Sequence, residues 1–144
     1  MVASGKYSKS SKTDKRKKGV ISKSLPEIYP DSAGIDVVSD VHYVAVPPDR
    51  AAEPVRHFGC YTPDVHEMAR WLKECGIASV AMESTGVYWV PIFQVLESHG
   101  FEVKLVDAAQ VSNVLGRETD VDDCQWLQKL HCFGLLHGCF RPDD

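Results

Sequence analysis

The run Ala33-Gly-Ile-Asp-Val-Val38 is apolar apart from a single acid, and the architecture follows from it. It is too short for a helix and reads as a strand. Ser39-Asp40 makes a turn, and His42-Tyr-Val-Ala-Val46 returns as a second strand, so the two form a hairpin. Pro47-Pro48-Asp49 ends that strand, and Val55 to Tyr61 reads as a third. The pattern then becomes helical. Thr62 is read as the cap, with Pro63 at the first position and Asp64 in the first turn. Val65, Met68, Ala69, Leu72 and Cys75 recur at helical spacing, and Gly76 stops the helix. Ile77 to Met82 is a strand with Glu83 at its carboxyl end, and Tyr88 to Ser98 a helix terminated by Gly100. Phe101 to Val106 is a strand, and Ala108 to Leu115 a short helix before the Gly116 break. Thr119 is read as the cap of the last helix, which carries Trp126, Leu127, Leu130 and Phe133 and ends near Gly134. The order β-β-β-α-β-α-β-α implies an α/β fold, a mixed sheet flanked by helices. In such sheets, sites form at the carboxyl ends of strands.

Composition narrows the class. A chain of 144 residues has material for one core, and 44% apolar with 25% charged residues is ordinary for a soluble globular protein. No apolar run is long enough to span a bilayer, and the basic start lacks the apolar segment of a secretory signal. Five cysteines (60, 75, 124, 132 and 139) are an odd number without disulfide-type spacing, so reduced thiols and a cytoplasmic location are expected. The net charge of −4 hides an asymmetry. Residues 1–24 hold eight Lys and Arg against one acid; the remainder holds eight against nineteen. Residues 1–30 therefore read as a disordered basic leader, either a solvated tail or an arm for nucleic-acid phosphates, and residues 31–144 as the folded domain.

The acids of the domain carry the chemistry. Asp36 and Glu83 sit within or at the end of apolar strands, where acids are depleted and rarely buried unpaired. In Gly116-Arg-Glu-Thr-Asp-Val-Asp-Asp-Cys-Gln-Trp-Leu127, Asp120 and Asp123 are three apart at an expected helix start and would share a face. A helix N-terminus favours negative charge there. Four such carboxylates cannot cluster ionised without cations, and their oxygens suit Mg²⁺ in phosphodiester chemistry. The plainer reading also stands: Asp120 and Asp122 as first-turn acids, and Glu83 as a loop acid capping the following helix.

The same residues carry a resemblance. Gly34-Ile-Asp-Val37, Val80-Ala-Met-Glu-Ser-Thr-Gly-Val-Tyr-Trp89, and Gly116 to Asp123 with Trp126-Leu127 resemble the N-terminal domain of the DEDD-type insertion-sequence transposases, the bridge-RNA-guided recombinases. Gly134-Leu-Leu-His-Gly-Cys-Phe-Arg-Pro142 continues the likeness, which covers about residues 33–142. The resemblance implies an RNase H-like (RuvC-like) fold. It implies a tetrad of Asp36, Glu83, Asp120 and Asp123 that is both catalytic and the ligand set for Mg²⁺ or Mn²⁺. It implies DNA as substrate, a guide RNA as partner, homo-oligomers in the full-length family, and no membrane. In that family a second domain supplies a nucleophilic serine. The chain stops at Asp144 without it, so a fragment is expected: a truncated copy, or one half of a split gene. The competing expectations are a non-catalytic nucleic-acid-binding remnant and a stand-alone junction nuclease.

Other residues invite weaker readings. Ser84 and Thr85 either position a phosphate or cap the helix that follows. Cys124, His131, Cys132, His137 and Cys139 fit no standard zinc spacing. Tyr88, Trp89 and Phe93 could stack on bases, but the i, i+4 pair Trp89 and Phe93 suits a core face better, as do Trp71 and Trp126. Arg117 is either a phosphate contact or a solvated charge.

Overall fold

Strand β1 (Ser32–Val37) is buried at every position but Asp36, because it has a strand on each side and helices on both faces. The computed structural model describes residues 25–84, 88–112, 114, 116–117 and 121–138. They form a five-stranded sheet in the order β3-β2-β1-β4-β5. β2 (Val41–Ala45) and β3 (Val55–Gly59) run antiparallel to their neighbours, as the hairpin reading requires. β4 (Ser79–Ser84) and β5 (Glu102–Val106) run parallel, each reached through a helix. This mixed sheet with flanking helices is the RNase H-like arrangement that the resemblance implies.

The two faces differ. Ile35, Val44, Phe58, Val80, Met82 and Val103 point to one face and pack against α1 (Thr62–Glu74) and α2 (Trp89–Ser98) in the larger apolar core. α1 buries Val65, Met68, Ala69, Trp71 and Leu72, the stripe that its helical spacing predicts. The opposite face carries Gly34, Asp36, Ala81 and Glu83. It is covered by the short α3 (Ala108–Ser112) and by α4 (Asp123–Cys132), whose Trp126, Leu127 and Leu130 pack on Ala81 and Val106 in the second core. No helix among the described residues is long and apolar enough to cross a membrane.

Three expected boundaries move. Tyr61, not Thr62, is the residue before α1, and its backbone N–H donates to the Asp64 carboxylate at 3.3 Å. β3 ends at Gly59, ahead of the expected Tyr61. The last helix starts later than expected: α4 begins at Asp123 with the extended Asp122 as its cap, whose N–H donates to Gln125 Oε1 at 2.9 Å. Asp122 and Thr119 are both good cap types, and Gln125 three residues beyond Asp122 supplies the reciprocal bond. The helix as described thus begins at Asp123, three residues after Asp120 in the sequence. Asp120, Thr119 and Thr85 lie outside the described residues.

Candidate metal centre

The register of the sheet builds the site. Asp36 on β1 is directly paired with Glu83 on parallel β4, and with Tyr43 on antiparallel β2. Tyr43 is in turn paired with His57 on β3, and Glu83 with Val106 on β5. Paired positions put their side chains on the same face. One row thus crosses the sheet at the carboxyl ends of β1 and β4: His57, Tyr43, Asp36, Glu83, Val106.

α4 brings Asp123 to this row, and Gly34 permits it. A Cβ on Gly34 would stand 2.5 Å from both the Cys124 carbonyl oxygen and the Gln128 nitrogen. Only a residue without a side chain lets the helix lie this close to the central strand. Gly116, at φ 104°, adopts a backbone that side-chain-bearing residues rarely reach, and it turns the chain toward Arg117. Arg117 Nη2 then donates to the Val121 carbonyl at 2.7 Å and to Asp123 Oδ1 at 2.8 Å.

The electrostatics are those of crowded like charges. Burial, and then the charge of Asp123, push the Asp36 carboxyl above the usual carboxylate range. Glu83 is raised by burial and next by Asp36, Asp123 and Asp107, with Arg117 pulling the other way. Both acids are half-buried. Asp123 borders two open clefts. One, of about 490 Å³, also includes Glu83, Arg117 and Trp126. The other, of about 240 Å³, includes Asp36, Tyr43, Asp122 and Cys124.

The donor set fits a hard divalent cation in kind. It offers carboxylate oxygens, and a positive ion would offset the burial and the repulsion that raise both pKa values. The neighbouring thiol does not compete, because burial pushes Cys124 up to about 12 and keeps it protonated. Among the described residues, no three His, Cys, Asp or Glu side chains approach closely enough to enclose one ion. The described part therefore provides the pair Asp36 and Glu83, with Asp123 beside it.

The remaining candidates sort out by burial. His131 is fully buried, with Nε2 2.7 Å from Ser79 Oγ and its ring stacked on Tyr29, as a core histidine would be. Cys124 and Cys132 are buried free thiols, and Cys139 lies outside the described residues. Phe93 is core, with Trp89 edge-on to it at 5.9 Å. Trp71 packs on Phe58, and Trp126 Nε1 donates to the Val111 carbonyl. Tyr88 is exposed. Sequence reasoning missed Asp107, the residue after β5, whose charge reaches Glu83 while its carboxylate accepts from Ala109 N. Its place at a strand's carboxyl end is a signal that could have found it. The place of Tyr43 beside Asp36 and the packing role of Gly34 were missed too, because they depend on cross-strand and helix–strand contacts that no local pattern shows.

Comparison with known proteins adds a family. The model of the IS110-type DEDD family, described as transposase, matches residues 33–144. No curated protein matches the chain.

Proposed function

Because the chain belongs to the IS110-type DEDD transposase family, we propose that Asp36, Glu83, Asp120 and Asp123 form a Mg²⁺-binding tetrad. Mn²⁺ serves equally as a hard oxygen-seeking ion. The tetrad acts in DNA phosphodiester cleavage and strand transfer. The observation that carries this reading is the side-by-side register of Asp36 and Glu83 on adjacent parallel strands, with Asp123 delivered beside them.

The protein's own part is to hold these oxygens in place. β1 and β4 fix two of them on rigid backbone, and the docking of α4 on Gly34 fixes the third. Arg117 anchors Asp123 and offers a positive charge to Glu83. Bound divalent ions would supply Lewis-acid activation of a nucleophile and stabilise the leaving oxygen. The family also implies a guide RNA and self-association, and both belong to this reading rather than to the observed geometry.

Thermal unfolding tests it. Chelator-treated protein should gain stability on adding Mg²⁺ or Mn²⁺, by about 2.7 kcal/mol at a hundredfold excess over Kd. Glu83→Gln should remove the gain. A Glu83→Gln chain that responds to metal as the parent does would sink the assignment.

A further inference from the structure

We propose that Tyr43, backed by His57, is a stacking platform for one base of the DNA strand whose phosphate lies at Asp36 and Glu83. The inference rests on the preceding reading of the acids and extends it to how the substrate is held. The row across the sheet places Tyr43 one strand from Asp36 and His57 one strand further, about 5 and 10 Å away at ordinary strand spacing. That span is within the reach of a single nucleotide.

The row is covered at one end and open at the other. α4 packs chiefly on β1, and with β4 and β2 behind it. Tyr43 nevertheless keeps 44% of its surface exposed, and His57 is exposed beside it. Their rings are tilted by 48° at 6.1 Å, so His57 supports the phenol ring without covering it. A cleft of about 240 Å³ joins Tyr43 to Asp36 and Asp123 without interruption. It is small and open, a place for one planar ring rather than a larger ligand.

Charge selects the kind of contact. Asp36, Asp122 and Asp123 line this cleft, and the Arg117 guanidinium is tied to Asp123. The cleft's lining holds no positive side chain, so apart from the bound cations nothing there attracts a strand's phosphates. Stacking on an aromatic ring is uncharged and accepts any base. An unpaired base, already out of its helix, presents the π-face that this needs.

The test is binding of a single-stranded oligodeoxynucleotide with one 2-aminopurine to the full 144-residue chain, with Ca²⁺ replacing Mg²⁺ so the strand stays intact. Stacking quenches the fluorescent base. Tyr43→Ala should weaken binding about tenfold and abolish the quenching, while Tyr43→Phe, which keeps the ring, should retain both. Unchanged affinity and quenching in Tyr43→Ala would overturn the platform; if the chain still gains stability from Mg²⁺, the metal reading survives that result. Conversely, Tyr43-dependent quenching in a chain that shows no metal response would support the platform and remove the metal reading. A cross-strand Tyr–His pair that merely stabilises the sheet predicts a loss of stability on Tyr43→Ala with DNA binding intact.

Discussion

Asp36 is the least comfortable residue of the sheet. It is a half-buried carboxylate on the central strand, opposite Glu83 and within the field of Asp123. A carboxyl whose folded-state pKa is raised binds its proton more tightly in the folded than in the unfolded chain. Its ionised form therefore opposes folding above the folded pKa, and the cost is relieved as pH falls toward the ordinary carboxylate value. Asp36→Asn keeps the shape and removes the charge. In chelator it should raise stability by about 1 kcal/mol, read as a higher urea midpoint, while losing the response to Mg²⁺. A lower midpoint would show that Asp36 is held by favourable partners and that repulsion is not what perturbs it. Stability sacrificed at a cluster of acids is the signature of a site kept for chemistry.

At the scale of elements, the contact between α4 and β1 determines whether the third acid arrives. Gly34→Ala would drive a methyl group into backbone atoms of Cys124 and Gln128, which cannot swing aside as a side chain can. The helix must lift. The expected cost is about 1–3 kcal/mol in urea unfolding, together with a weaker metal response because Asp123 moves with the helix. A fully stable Gly34→Ala chain would mean that α4 docks more loosely than its contacts imply. Here the sequence was only partly legible. Asp36 could be placed on a central strand and Glu83 at a strand's end because both interrupt local apolar runs. The start of α4 could not, because Thr119 and Asp122 are both good caps and the choice rests on Gln125 and on how the helix docks. The function of Gly34 and the company of Tyr43 depend on partners across the sheet, far away in the chain. Periodicity carries no such information.

Across the whole molecule, the sheet keeps its acids at one end, while Ser32, Ser79, Gln128 and His131 are buried at the other. Gln128 Nε2 donates to Ser32 Oγ at 3.1 Å, and His131 meets Ser79, all beneath the amino ends of β1 and β4. His131 Nδ1 has no hydrogen-bond partner among the described residues. Tyr29 lies on the ring, and Lys104 sits over Tyr29 as the nearby cation. Burial, followed by the Lys104 charge, lowers the His131 pKa to about 4. The unfolded chain thus binds a proton that the folded chain refuses between about pH 6.5 and 4, so stability falls as pH drops through that window. The loss attributable to His131 reaches about 3 kcal/mol. Urea midpoints measured across this range should slope in the parent and slope less in His131→Gln, which cannot titrate. Equal slopes would place the acid sensitivity elsewhere.

The docking of α4 on β1 also sets a timetable. The strand that carries Asp36 is the first described element, and the helix that brings Asp123 to it is the last described one. Almost a hundred residues separate Ser32 from its partner Gln128. At ordinary translation rates that interval is on the order of 5–20 s. During it, the emerging chain holds Asp36 and then Glu83 but not the third acid. A polypeptide on the ribosome is thus surrounded by RNA before the proposed centre can assemble, and α4 reaches β1 only once nearly all of the described residues have been made.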